Sequence, residues 1–248
     1  MRRQVGARGG GAGSAAHTTT SLRNHRLHTP ESAAAPPARS GALVLGIGNL
    51  LWADEGFGVR AVEALHERYE LPAQVTLMDG GTQGLMLLDD VTSRQHVLVL
   101  DAIDFGLPPG ALRVMRDREV PAWVGTKMSL HQQSFMDLLA IAEVQERFPP
   151  HLTLVGVQPL RLTDFGGSLS EPVRAQLEPA LAQAVEQLRA WGYEAVERSQ
   201  PPAERLNDRS LRLAEYEAGR PAEEVACRIG DARFLNLRAA AAPAVRGE

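Results

Sequence analysis

The chain has 248 residues, 44% hydrophobic and 23% charged, a composition that belongs to a folded globular protein and excludes a disordered one. Its formal net charge of −4 is unevenly spread: residues 1–40 set six Arg against Glu31 for +5, residues 201–248 balance eight Arg with eight acids, and residues 41–200 carry −9. An acidic body of this kind repels phosphate, which excludes nucleic acid as a partner. One cysteine, Cys227, excludes an internal disulfide and a thiolate zinc cage, and suits a reducing cytoplasm. No apolar run reaches the length of a membrane span, so no membrane partner is expected. Met1-Arg2-Arg3 opens like an export signal, but no apolar region follows it, and export is rejected.

Residues 1–40 hold no Phe, Trp or Tyr and contain low-complexity runs at Gly9–Gly11 and Ala33–Pro37. Such a segment cannot bury enough surface to offset its ordering entropy and reads as a disordered basic arm. A translation start set too far upstream would leave the same composition. From Ala42 the pattern changes to strand-length apolar runs at 43–47, 75–78, 97–100, 112–115 and 152–155. The runs at 43, 97 and 152 are continuously apolar, as strands buried on both faces are.

Between these runs lie helical patterns. Gly58, Ala61, Val62, Leu65 and Tyr69 share one face, as do Phe135, Leu138, Leu139 and Ala142. A later helix is announced by Ser168-x-x-Glu171 with Pro172 just inside; it runs through Val173, Leu177, Leu181, Ala184 and Leu188 and stops near Gly192. Pro179 is expected to kink it or divide it. The alternation predicts an α/β fold of three layers: a mostly parallel twisted sheet over residues 41–200, with helices on both faces. Residues 201–248, where the alternation ends, read as an appended, partly ordered tail with short helices near 211–218 and 222–228.

In such a fold ligands bind at the carboxyl ends of the strands, so polar groups there carry the information. Gly46-Ile47-Gly48-Asn49 follows the first run, but the third glycine of a dinucleotide fingerprint is replaced by Leu51, and a tight strand-to-loop turn is the simpler reading. Glu55 lies near the start of the first helix, with Asp54 as its N-cap, and its spacing to Gly58, Val59 and Val62 turns it inward. A first-turn acid serving the helix dipole is the alternative. Asp101 closes the run Val97–Leu100, with Asp104 near it; capping of its own backbone is the competing reading. His131 stands four residues before Phe135 at the start of its helix, as a ligand or as a hydrogen-bonded core residue.

Together Glu55, Asp101 and His131 make a three-ligand set of oxygens and nitrogen without thiolate, suited to nickel or zinc. Asp79-Gly80-Gly81-Thr82-Gln83-Gly84 follows the second run, and its glycines allow a peptide to approach the backbone, or simply a turn. His66-Glu67-Arg68-Tyr69-Glu70 lacks the second His of a zinc-protease helix and reads as a solvated helix face. No Gly-x-Ser-x-Gly elbow is present, and Cys227 reads as inert.

The run from Gly46 to Arg60 resembles the opening motif of the nickel–iron hydrogenase maturation endopeptidases. The resemblance continues through Asp79–Gly84, Asp101–Asp104, Ser129-Leu130-His131-Gln132 and Leu154–Val157, and covers about residues 42–199. It implies a twisted sheet between helix layers and an activity that removes a C-terminal peptide from the nickel-loaded precursor of the hydrogenase large subunit. It implies Glu55, Asp101 and His131 as metal ligands, and Asp79, Gly80 and Gly81 in substrate recognition and cleavage. Nickel would arrive with the substrate, other divalent ions could replace it, and the ion would polarise the scissile carbonyl or a water on it would supply hydroxide. The expected enzyme is a cytoplasmic monomer that meets the precursor transiently. A non-catalytic chaperone that senses nickel through the same residues is the alternative.

Overall fold

A computed structural model describes residues 39–122, 130–162 and 164–220, without the side chains of residues 122 and 130–133. Residues 1–38 of the expected basic arm, the helix expected over 222–228, Ser129 and Cys227 lie outside the described residues. In chain order the elements are β1 (Ala42–Ile47), α1 (Phe57–Arg68), β2 (Tyr69–Glu70), β3 (Val75–Gly81), α2 (Leu88–Thr92), β4 (His96–Ala102), β5 (Leu112–Arg116), α3 (Glu119–Ala122), α4 (Leu130–Val144), β6 (His151–Val157), α5 (Glu171–Arg174), α6 (Leu177–Ala190), β7 (Val196–Glu197) and α7 (Leu213–Gly219). Short 3-10 turns occupy Ala53–Gly56, Gly84–Leu87 and Arg209–Leu211.

All five expected strands join one sheet in the order β3-β1-β4-β6-β5; β5 runs antiparallel to β6 and the other neighbours are parallel. Because side chains alternate along a strand, the continuous apolar runs feed two cores. Val44, Leu98, Leu100, Val155 and Val157 pack with Phe57, Ala61, Val62 and Leu65 of α1 and Leu181, Ala184 and Leu188 of α6. Leu43, Leu45, Val97, Val99, Leu152 and Leu154 face the other way, onto Leu87, Val91 and Phe135, Leu138 and Leu139 of α4. Each fully buried Leu or Phe contributes about 1.5–3 kcal/mol relative to exposure, so both faces are fixed by many such groups.

Three local readings differ from expectation. Tyr69 is not on the first helix: α1 ends at Arg68, and Tyr69 turns extended to pair with Glu197 in a two-stranded β2–β7 ribbon. The helix expected from Ser168 begins instead at the N-cap Ser170 and is divided into α5 and α6. That break falls at 175–176, ahead of Pro179, which sits in the first turn of α6 where no intrahelical N–H bond is lost. Past α6, Gly192 takes φ +86°, a conformation suited to glycine.

Residues 204–217 return over α1. The His66 ring meets the Glu204 carbonyl at 2.9 Å, Arg205 pairs with Glu67, and the Arg60 guanidinium donates to the Leu211 carbonyl and lies 5.5 Å from the Tyr216 ring centre. The helix face expected to be solvated therefore carries a strap. Among the described residues, no helix is long and apolar enough to cross a membrane.

Candidate functional site

The chain leaves β1 toward β3 on one side and then crosses to β4 on the other, so the carboxyl ends of β1 and β4 flank a topological switch point, the usual ligand crevice of an open α/β sheet. Gly46 of β1 is level with Asp79 of β3 and Leu100 of β4, which puts Asp101 one residue beyond it at the rim. Glycines let α1 close onto this rim. A Cβ on Gly58 would stand 2.0 Å from the Leu100 carbonyl and 2.3 Å from that of Ile47, and one on Gly48 (φ +137°) would stand 1.7 Å from the Glu55 carbonyl. Gly48 is thus needed for backbone contact as well as for its turn, and Gly58 for backbone contact.

Glu55 sits in the turn Ala53–Gly56, half-buried, immediately over these strand ends. The turn is tightly held. Ala53 adopts φ +46°, costly for a residue with a Cβ, by about 1 kcal/mol. Asp54 is fully buried and is not the expected N-cap. Its carboxylate accepts hydrogen bonds from the N–H groups of Leu160 (2.9 Å), Arg161 (2.7 Å) and Ser170 (2.6 Å) and from the Ser170 hydroxyl (2.9 Å). It fastens the Glu55 turn to the loop after β6, where Trp52 also meets Phe165 edge-on with ring centres 5.3 Å apart.

Asp101 is 3% exposed, and its Oδ1 accepts the Ala102 N–H at 2.7 Å, the local bond expected of a strand-end acid. Counted along β4, Asp101 shares parity with Val97, Val99 and Ile103, the side of the sheet covered by α4. His131 lies in the first turn of α4, four residues before the buried Phe135; its side chain is outside the described residues. The loop after β4 is clamped by Gln158, whose Oε1 accepts the N–H groups of Phe105 (2.7 Å) and Leu107 (3.1 Å) while its Nε2 donates to Asp104 Oδ1 (3.0 Å).

Asp79 is turned elsewhere. Its parity matches Val75 and Leu77, which pack on the α1 side, opposite to Asp101. Its Oδ1 accepts the Gly81 N–H (2.9 Å) and its Oδ2 accepts Asn207 Nδ2 (2.8 Å), and the same amide donates to Glu63 Oε1 (2.9 Å). Burial pushes the Glu63 carboxyl above its usual range, opposed by the Arg60 guanidinium at 2.9 Å. The structure thus sets the Glu55 turn against β4, which ends at Asp101 and Ala102, and puts Asp79, with Gly80 and Gly81, at the end of β3 on the other side of β1. Among the described residues no three His, Cys, Asp or Glu side chains gather as a metal site, a set that does not include the His131 imidazole. Asp54, Gln158 and Asn207 carry much of this geometry and were not singled out for it by spacing; each acts through partners 50 or more residues away.

The family model for HycI, described as a hydrogenase maturation protease, matches residues 59–187. The hydrogenase expression/formation protein HoxM of Azotobacter vinelandii is 58% identical over 194 residues, 78% of this chain and 93% of that protein. The chain belongs to the hydrogenase maturation protease family. The Hydrogenase 2 maturation protease of Escherichia coli is 46% identical over 157 residues, 63% of this chain and 95% of that protein. The solved structure of the hydrogenase maturating endopeptidase HybD from E. coli superposes with a TM-score of 0.61 at 46% identity, covering 64% of this chain and 98% of HybD. This maturation protease is therefore an endopeptidase, a hydrolase, on the mostly parallel α/β fold the strands describe. The matched family segment contains Asp79, Asp101 and His131 but begins four residues after Glu55.

Proposed function

We propose that this maturation protease removes the C-terminal peptide of a nickel–iron hydrogenase large-subunit precursor after nickel has been inserted, using Glu55, Asp101 and His131 to hold the nickel that the precursor brings. What supports the reading is that the turn carrying Glu55 packs against β4, whose end carries Asp101, beside the switch point and with α4 on the Asp101 side. Two carboxylates and an imidazole without thiolate suit a borderline divalent ion, and other such ions could stand in for nickel. The chemistry open to an ion docked there is Lewis-acid polarisation of the scissile carbonyl.

The chain's own residues do the rest. Asp54 and the glycine contacts hold the Glu55 turn against the strand ends, so its carboxylate is presented without reorganisation. Asp101, buried and fixed through Ala102, offers a second anionic oxygen group. Asp79 fixes the strand end at Gly81, where a Cβ would meet only the Asp79 carboxylate and a peptide backbone has room to approach, while Gly80 packs inward on Leu45 and Leu87. The enzyme works as a cytoplasmic monomer in a transient complex with the precursor, a setting that suits its single cysteine.

The test is to incubate nickel-loaded precursor with wild type, Glu55→Gln, Asp101→Asn and His131→Ala, and to follow precursor mass. Each variant is expected to lose at least about a hundredfold in rate, as removal of a positioning ligand does. Full cleavage by all three would refute the proposed role of these residues, whereas processed large subunit in a strain lacking this protein would favour the chaperone reading.

A further inference from the structure

The segment after the sheet domain reaches back to the flank of the crevice through one side chain. Asn207 Nδ2 donates at 2.8 Å to Asp79 Oδ2 and at 2.9 Å to Glu63 Oε1, bridging 128 and 144 residues of chain. One nitrogen serving two acceptors holds two carboxylates side by side, where like charges would otherwise separate them. The series continues in both directions. Arg60, 4% exposed, pairs with Glu63 at 2.9 Å, and Asp79 Oδ1 takes the Gly81 N–H at 2.9 Å.

Gly81 takes φ +46°, a conformation open to glycine, with its N–H tied to the Asp79 carboxylate, and Gly80 is packed so closely that a Cβ there would lie 2.6 Å from Leu45 Cδ1. The backbone at the end of β3 is thus held by the Asp79 carboxylate together with the Gly48 N–H on the Gly81 carbonyl and the Gln83 N–H on the Gly80 carbonyl, and one oxygen of that carboxylate is held by Asn207. Asn207 is itself held from both sides. Upstream, the Glu204 carbonyl meets the His66 ring and Arg205 pairs with Glu67. Downstream, Leu211 accepts from Arg60, the Tyr216 hydroxyl donates to the Gly167 carbonyl at 3.2 Å, and Glu217 accepts from Arg174 and Ser168. A segment anchored on both sides of one amide holds that amide in place.

We propose that Asn207 is a positioning residue for peptide recognition: it fixes Asp79, and through Asp79 the Gly80–Gly81 strand end that meets the substrate. The strap from Glu204 to Glu217 is then part of the site, not an appendage. This rests on the reading that the Asp79–Gly81 segment recognises the precursor peptide.

The experiment compares full-length wild type with Asn207→Ala and with Asn207→Leu, which keeps most of the volume and removes the donor. Cleavage of nickel-loaded precursor is followed under steady state, alongside thermal unfolding and the backbone amide resonance of Gly81. Expected are a rise in KM that lowers kcat/KM about tenfold with kcat little changed, a displaced Gly81 resonance, and an unfolding midpoint close to wild type. If one variant fails to fold, the other carries the comparison. Wild-type kcat/KM in the folded variants, or an unmoved Gly81 resonance, would overturn the inference while wild-type cleavage still stands. Should wild type leave the precursor intact, the proposed function itself fails, and the role in peptide recognition fails with it.

Discussion

Replacing Asp54 by Ala probes how the Glu55 turn is held. The carboxylate has no exposed surface and accepts four hydrogen bonds, three of them from backbone N–H groups of the loop between Leu160 and Ser170. Alanine leaves all four donors without their acceptor, and each buried orphan donor costs about 1–3 kcal/mol. Water entering the vacated space recovers part of that, so the expected loss is about 3–5 kcal/mol, or roughly 10 °C in unfolding midpoint for a chain of this size. Asp54→Asn keeps one acceptor oxygen but turns an NH2 group toward other donors, and is expected to lose about 2–3 kcal/mol. Urea denaturation followed by circular dichroism measures both. The order wild type, Asn, Ala is the expected result. An Ala variant within about 1 kcal/mol of wild type would refute the reasoning, because the four bonds would then hold nothing that water cannot.

Two further outcomes follow from contacts elsewhere. Gly58→Ala should destabilise by about 2–3 kcal/mol in urea titration, since its Cβ would meet the Leu100 and Ile47 carbonyls at 2.0 and 2.3 Å, whereas Gly219→Ala, with nothing within 4 Å, should be near neutral. Burial, with the neighbouring His151 charge, lowers the His96 pKa below 6.5; its ring stacks on His151 at 4.9 Å between centres. The unfolded chain then binds more protons than the folded one below pH 6.5, so this contribution is complete above that pH and is lost as pH falls toward the folded value. Urea midpoints at pH 5 and 7.5 should differ less in His96→Gln than in wild type, and an equal difference would contradict the assignment.

The strands were legible because burial on both faces writes an unbroken apolar run, and the helices because Phe135, Leu138, Leu139 and Ala142 all face one core. Glu55 stood out as an inward acid near the start of the first helix and Asp101 as an acid closing a strand, patterns local enough to read along the chain. Asp54 was misread as a cap, since nothing local says that its carboxylate is taken by Ser170, 116 residues on. Pro179 was expected to kink the helix or divide it; the division is there but falls at 175–176, because where α6 begins, and so the place of Pro179 in its first turn, is decided by packing. The strap was hidden for the same reason: its charge-rich residues match a solvated tail, and their partners Arg60, Glu63 and Glu67 belong to α1. Hydrogen bonds between distant segments leave no period in a sequence.

If the rim of β1 and β4 acts on a precursor through the nickel it carries, the nickel-loaded and nickel-free forms of that precursor meet different fates. The most direct measurement is the intact mass of the large-subunit precursor after incubation with the wild-type protease, with nickel inserted and without. Loss of the C-terminal peptide from the nickel-loaded precursor alone is the predicted result. Equal cleavage of the nickel-free precursor would contradict it.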